Sequence, residues 1–159
     1  MLARLLTTVC LPLLTIVCAL GSAPAQLLEK KTLSLAAAKK MAAAAEAEAA
    51  KNKWAMVIAV LDDGGNLIYL EHMDGAQIGS IGVAQGKART AVRFRRPSKD
   101  FENAIAASHL DIITLGDVTA IRGGLPAMVD GKAAGAIGVS GGTGEQDEQC
   151  AEAGLAALK

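Results

Sequence analysis

The residues best suited to chemistry lie in the segment 136–150, AIGVSGGTGEQDEQC. A serine, several carboxylates and a cysteine follow one another there in a pattern typical of a strand, a glycine turn and a helix. Gly138 to Gly142 match G-x-S-x-G, the nucleophile elbow of α/β-hydrolases. In that fold the histidine of the triad follows the serine, whereas His72 and His109 both precede Ser140. The chain order therefore argues against a serine hydrolase.

A phosphate-binding loop is the second chemistry that this segment could support. The pattern G-x-x-x-x-G-K-[ST] requires a lysine, and here Glu145, Asp147 and Glu148 follow the glycines instead. Acids in the first turn stabilise a helix, and they would repel a phosphate. Thr143 and Gln146 match the capping box T-x-x-Q. We interpret the segment as a locally capped turn with a polar, backbone-lined concavity.

A basic stretch, KARTAVRFRRPSK at 87–99, is the second candidate site. Two interpretations are open. The stretch is a solvated helix face, as charge runs usually are, or it is a carboxylate clamp, because guanidinium groups pair with carboxylates in a bidentate way. The chain has 16 basic and 16 acidic residues and 3% aromatic residues. That balance gives no global field for nucleic acid, and few side chains are available to stack on bases.

The two histidines are candidate metal ligands. His72 lies near the end of a predicted strand and His109 lies in a predicted loop. Each is either an axial ligand, because imidazole commonly ligates haem iron, or an ordinary structural or solvated side chain. The chain has no H-E-x-x-H, no paired cysteines and no EF-hand pattern, which disfavours a dedicated zinc or calcium site.

The N-terminal residues 1–25 are predicted to be a secretory signal peptide. Arg4 precedes an apolar run, and Ala23-Pro24-Ala25 fits the small-residue cleavage rule. The run is shorter than the roughly 20 residues of a membrane span, although a retained anchor is the alternative. We expect a periplasmic or secreted protein with no stable membrane span after cleavage and with one domain at 26–159. Cys150 would then be its single cysteine, so no internal disulfide is expected.

Hydrophobic periodicity and turn residues predict an α/β (α+β) domain. The pattern favours a central antiparallel five-stranded sheet with helices covering one face, because tight turns join the strands. Ser34 and Ser98 are predicted helix N-caps. The predicted strands are 56–61, 67–73, 118–122, 125–129 and 133–139, and the predicted helices are 34–51, 79–94, 99–107 and 145–158.

Three separated motifs resemble the GlcG/HbpS family of small haem-binding and glycolate-operon-associated proteins. They are D-x-G-G-x-L at 62–67, K-A-x-T-A at 87–91, and G-G-x-P at 123–126 followed by G-A-I-G-V-S-G-G at 135–142. The resemblance covers nearly all of the chain from Leu33 onward. The positions that carry it include Asp62, Gly65, Asp74, Lys87, Thr90, Gly124, Pro126, Ser140, Gly141 and Asp147.

The resemblance implies a profilin-like fold that assembles into homo-oligomers, some of which bind haem. Members often carry arginine where this chain has His72 before M-D-G-A. The haem hypothesis takes an iron ligand from His72 or His109. It assigns the haem propionates to Arg89, Arg93 or Arg96.

Two other functions remain open at the level of sequence. One is an enzyme or accessory factor that acts on a small carboxylic acid such as glycolate, with its site at the glycine-rich concavity and the basic helix. The scarcity of aromatic residues favours it, because a porphyrin requires apolar and aromatic walls. The other is a structural component of an oligomer that has no small ligand.

Overall fold

The computed structural model describes Gln26 and residues 28–158. The predicted signal peptide, residues 1–25, lies outside the described residues. None of the helices in the described part has both the length and the apolar character needed to cross a membrane. The elements, in chain order, are α1 (Leu35–Lys51), β1 (Val57–Asp62), β2 (Leu67–His72), α2 (Ser80–Phe94), α3 (Lys99–Ala106), a 3-10 helix (Leu110–Thr114), β3 (Gly124–Val129), β4 (Lys132–Ser140) and α4 (Gly144–Ala156).

The sheet is antiparallel throughout, with the strand order β2-β1-β4-β3. Two hairpins, β1–β2 and β3–β4, join side by side through β1 and β4, so that Val57 pairs with Ser140 and Asp62 pairs with Gly135. The glycine turn at 62–66 and the Asp130-Gly131 turn close these hairpins, as the sequence predicted. The mixed α/β class is therefore confirmed.

The sheet of the described residues has four strands, so the predicted five-stranded sheet is wrong. The extra strand was expected at 118–122, which is irregular. Its backbone groups bond to side chains rather than to a neighbouring strand. The Thr119 amide donates to Thr90 Oγ1 and the Arg122 amide donates to Glu102 Oε2. Side chains of α2 and α3 thus accept hydrogen bonds from the backbone of this segment, so these amides do not pair with a neighbouring strand.

Helices cover both faces of the sheet, so the prediction that they cover one face is also wrong. Helices α1 and α4 pack on one face around Met41, Ile58 and Ile137. Helix α2 packs on the other face through its small residues, including Ala84 and Ala88. The reason is visible in β1, whose residues VIAVL are all buried, because a strand covered on both faces needs a continuous apolar run.

Helix α2 lies directly against the sheet at two paired glycines. Gly124 of β3 and Gly138 of β4 are register partners. A Cβ on Gly138 would lie 2.1 Å from the Ala84 carbonyl oxygen, and one on Gly124 would lie 2.3 Å from the Lys87 carbonyl oxygen. Only glycine permits this approach. The close packing places Lys87 inside the protein rather than on its surface.

Two of the three predicted helix caps are confirmed. Ser34 accepts from the Ala37 amide at the start of α1, and Thr143 and Gln146 form a capping box at the start of α4. The predicted cap at Ser98 is wrong, because its hydroxyl is engaged elsewhere. Ser98 Oγ donates to the Ile121 carbonyl at 2.7 Å and accepts from the Gly124 amide at 2.9 Å. Ser98 thereby fixes the irregular segment to the start of β3.

Candidate functional site

Two pockets open at opposite ends of α2. The larger one, here called the basic pocket, has a volume of about 530 Å³. The smaller one, here called the serine–lysine pocket, has a volume of about 380 Å³. The basic pocket is lined by Leu28, Glu29, Lys30, Lys31, Asp63, Val92, Arg93, Arg95, Lys132 and Ala133. The serine–lysine pocket is lined by Gln77, Gly79, Ser80, Val83, Lys87, Ile121, Ser140, Gly142, Gly144 and Asp147.

The basic pocket gathers cations from three distant parts of the chain beside an apolar wall. Lys30 pairs with Asp63 at 3.4 Å and Arg93 pairs with Asp117 at 2.5 Å. The remaining cations of the wall come from the N-terminal segment, the end of α2 and the start of β4, and they are Lys31, Arg95 and Lys132.

The charge of the basic pocket is only partly compensated. Lys31 forms an ion pair with Asp130, and its hydrogen bond holds the pKa of that carboxyl below the usual value. Arg95 and Lys132 form no ion pair with any described residue. Three of the five lining cations are thus paired with carboxylates, and the two others, Arg95 and Lys132, suit a negatively charged ligand that also has an apolar part.

A buried ion pair forms the floor of the serine–lysine pocket. Lys87 Nζ donates to Asp147 Oδ2 at 2.6 Å and to the Val139 carbonyl at 3.0 Å, and the two charged side chains are 1% and 4% exposed. Asp147 Oδ1 accepts from the Gly142 amide at 3.0 Å. Desolvation raises the pKa of Asp147, while the hydrogen bonds from Lys87 and Gly142 favour its ionised form.

Two buried serine hydroxyls lie beside this ion pair. Ser140, at the end of β4, and Ser80, at the start of α2, approach each other with their Oγ atoms 3.2 Å apart. Ser140 is the serine of the G-x-S-x-G match. Its hydroxyl contacts another serine rather than an imidazole, and both histidines lie outside this pocket. The geometry thus agrees with the argument from chain order against a serine hydrolase.

The acids at the start of α4 are paired with cations, a feature that the sequence analysis missed. Lys99 Nζ lies 2.8 Å from Glu148 Oε1, and Arg122 bridges Glu102 and Glu145 at 3.3 Å and 3.1 Å. Lys87 and Lys99, which belong to the basic stretch, therefore bind the protein's own carboxylates. Their spacing in the chain gave no signal of this, because Lys87 and Asp147 are 60 positions apart.

The two candidate iron ligands are exposed, and neither lines one of these pockets. His72 ends β2, and its Nε2 lies 2.8 Å from the Ala76 carbonyl oxygen. Because a carbonyl only accepts, Nε2 is the donor in this hydrogen bond, and Nδ1 takes no part in it. His109 lies just before the 3-10 helix. Their role as iron ligands remains a prediction.

The three candidate arginines do not form one cluster. Arg93 lines the basic pocket. Arg89 packs with Arg93 over the turn at Gly65, while Arg96 stacks on the Phe101 ring at 4.0 Å from its centroid. Arg93 lies about 20 Å along the helix from Ser80, which begins α2, at about 1.5 Å per residue. The structure thus brings Arg93 together with cations that the sequence analysis missed.

The sequence and the fold both match known proteins. Residues 33–156 match the family model described as "Haem degrading protein HbpS-like". The Escherichia coli K12 protein GlcG is 43% identical over 111 residues, which are 70% of this chain and 83% of GlcG. A crystallised double mutant of Streptomyces reticuli HbpS has a TM-score of 0.79 at 33% identity, covering 93% of this chain and 99% of that chain.

A solved structure of a haem complex is also similar. The crystal structure of the PduOC–haem complex has a TM-score of 0.73 at 27% sequence identity. The match covers 79% of this chain and 94% of that chain.

Proposed function

Because the chain belongs to the HbpS-like family of the GlcG/HbpS proteins, we propose that it is a haem-binding protein. The likeness to the PduOC–haem complex is the observation that carries this proposal. The finer proposal is that the haem propionates bind in the basic pocket and that the protein sequesters haem or senses redox state after export. Periplasmic or secreted localisation rests on residues 1–25 alone.

The residues of the basic pocket fit one part of a haem better than another. Arg93, Arg95 and Lys132 supply cations for carboxylates, since charge-assisted bonds to carboxylates are the strong ones. Leu28 and Val92 supply apolar surface for the edge of the ring. None of the described lining residues is His, Cys, Met or Tyr, the side chains that usually ligate haem iron. The pocket therefore fits the propionates and not the iron.

We assign the iron ligand to a second copy of the chain. His72 and His109 are exposed, so either of them can reach a haem whose propionates are held by a neighbouring subunit. Nine large apolar side chains of the described residues are exposed, among them Ile78 at 80% and Ile113 at 71%. Contact between subunits would bury side chains as exposed as Ile78 and Ile113, which is consistent with the proposed homo-oligomer.

A titration of the purified apo-protein with haemin tests the proposal. We expect a saturable Soret shift, and the His72→Ala or the His109→Ala variant should change the band while leaving the affinity within a few fold. Metal-free protoporphyrin should also bind, because the propionates carry much of the affinity. The absence of any saturable change with haemin would overturn the proposal. Intact mass of the exported protein tests the predicted start at Gln26.

A further inference from the structure

The serine–lysine pocket shares no lining residue with the basic pocket, and the proposed haem site leaves it unused. Its volume of about 380 Å³ lies within the range of small-molecule sites, roughly 300–1,000 Å³. We propose that this pocket is a second binding site, which takes the carboxylate of a small organic acid.

An unused donor of Lys87 is the first observation behind this assignment. A lysine ammonium has three N–H donors. Two of them go to Asp147 Oδ2 and the Val139 carbonyl, and no described residue accepts the third. Lys87 lines the pocket and is only 1% exposed, so bulk water does not satisfy this donor freely. A ligand oxygen in the pocket would complete its coordination.

The two serines supply the second donor. Ser80 and Ser140 are 1% and 6% exposed, and among the described residues their hydroxyls contact each other. Only one of the two hydroxyl protons can lie between the Oγ atoms. No described residue accepts the other proton. The floor of the pocket therefore presents an ammonium proton and a hydroxyl proton that are both buried and both available.

Two helix N-termini also meet at the pocket. Gly79 and Ser80 begin α2, which has no side-chain cap and no acid in its first turn. Gly142 and Gly144 bring the start of α4 to the pocket as well, but its capping box and the carboxylate of Asp147 already occupy that helix end. The partial positive charge of an uncapped helix N-terminus favours an anion. The start of α2 therefore adds to the buried donors, which carry the assignment.

The charge balance favours one negative charge rather than two. Lys87 is already compensated by Asp147, and Arg122, the nearest cation in the chain to Ile121 of the pocket, is paired with Glu102 and Glu145. A singly charged carboxylate needs only the free donors and the start of α2, whereas a doubly charged phosphate would face Asp147 without a further cation. Val83 and Ile121 offer apolar surface for a short tail. The ligand is thus a small monocarboxylic acid.

An NMR titration of backbone amides tests the assignment. The probes are butyrate, its neutral isostere butyramide and inorganic phosphate. We expect butyrate to shift the amides of Ser80, Gly142 and Gly144 saturably, and butyramide to bind about tenfold or more weakly, because charge-assisted hydrogen bonds are the stronger ones. Equal affinity for butyramide, tighter binding of phosphate, shifts confined to the basic pocket, or no saturation at the highest soluble butyrate concentration would each overturn the proposal.

Two kinds of variant assign the binding to these groups. Ser80→Ala removes one hydroxyl and should weaken butyrate at least threefold, whereas the control Thr114→Ala, which removes an exposed hydroxyl away from the pocket, should not. Lys87→Met combined with Asp147→Asn removes both charges, keeps an acceptor for the Gly142 amide and should abolish binding. If that double variant does not fold, Ser80→Ala decides, and unchanged butyrate affinity in Ser80→Ala contradicts the site. Haemin binding should be unaffected by Ser80→Ala.

Discussion

Lys87 Nζ lies 2.6 Å from Asp147 Oδ2, and the two residues are 60 positions apart in the chain. Lys87 belongs to α2 on one face of the sheet, and Asp147 belongs to α4 on the other face. Their ion pair therefore joins the two helical layers past the end of β4. It also forms the floor of the serine–lysine pocket, so the same contact serves the fold and the second candidate site.

Removing one partner of this ion pair should cost much more stability than removing both. Lys87→Met leaves the Asp147 carboxylate buried and uncompensated, which we expect to cost about 3–5 kcal/mol of unfolding free energy. The double variant Lys87→Met/Asp147→Asn should recover most of that loss. Urea denaturation at neutral pH measures both. If the single and the double variant are equally destabilised, the ion pair is not the reason for the loss.

The contact between α2 and β4 should be intolerant of a single methyl group. Gly138→Ala would place Cβ 2.1 Å from the Ala84 carbonyl oxygen, and overpacking of this kind costs about 1–3 kcal/mol. The matched control is Gly82→Ala, on an exposed position of α2 with no neighbour within 4 Å of the new Cβ. It should stabilise the helix by up to about 1 kcal/mol. Thermal unfolding should therefore show a lower melting temperature for Gly138→Ala and an unchanged or higher one for Gly82→Ala. Equal melting temperatures for the two variants would contradict the close contact at Gly138.

Cys150 should make the protein less stable at alkaline pH. Burial raises the pKa of its thiol to about 11, above the value of about 8.5 for an exposed cysteine. Between these two pKa values the folded state keeps the thiol proton while the unfolded state loses it. The contribution of the thiol to the free energy of unfolding is therefore complete below pH 8.5 and falls as the pH rises towards 11.

Between pH 8.5 and pH 11 the free energy of unfolding should fall by about 1.4 kcal/mol per pH unit because of Cys150. Urea denaturation of the chain starting at Gln26, which has Cys150 as its single cysteine, measures it against Cys150→Ala. The difference in stability between the two proteins should shrink between pH 9 and pH 11. A constant difference would show that the thiol does not ionise on unfolding in this range.

Arg95 allows binding to be separated from stability. It ends α2 with a φ of 53°, in the left-handed region that glycine prefers at a helix C-terminus. Arg95→Gly should therefore leave the melting temperature unchanged or raise it, since the strain is relieved. The same change removes a cation from the basic pocket and should weaken haemin binding by about fivefold, or about 1 kcal/mol. Loss of both stability and binding would mean that the side chain is structural.

The parts of the fold that local chemistry determines could be predicted from the sequence. The Asp130-Gly131 turn, the cap at Ser34 and the capping box of Thr143 and Gln146 each depend on residues within a few positions. The segment 118–122 could not be predicted correctly, because its β-rich composition hides the fact that its amides bond to Thr90 and Glu102. Those partners lie 29 and 20 positions away.

The candidate site could be predicted only in part. The basic composition of α2 indicated a carboxylate-binding surface, and Arg93 does line a basic pocket. The other cations of that pocket come from segments without a shared motif, so only folding brings Lys30 and Lys132 beside Arg93. The burial of Lys87 likewise depends on the paired glycines at 124 and 138, whose contact with α2 no local pattern reveals.

The affinity of haemin for Lys132→Ala, compared with Lys40→Ala, tests the central claim most directly. Lys132 lines the basic pocket, whereas Lys40 is an exposed lysine of α1 away from it. The two variants have the same change in net charge, so nonspecific attraction is matched. We predict that Lys132→Ala weakens haemin binding by about five- to tenfold, or about 1 kcal/mol or more, and that Lys40→Ala leaves it unchanged. Equal affinities for the two variants would contradict a haem site in the basic pocket.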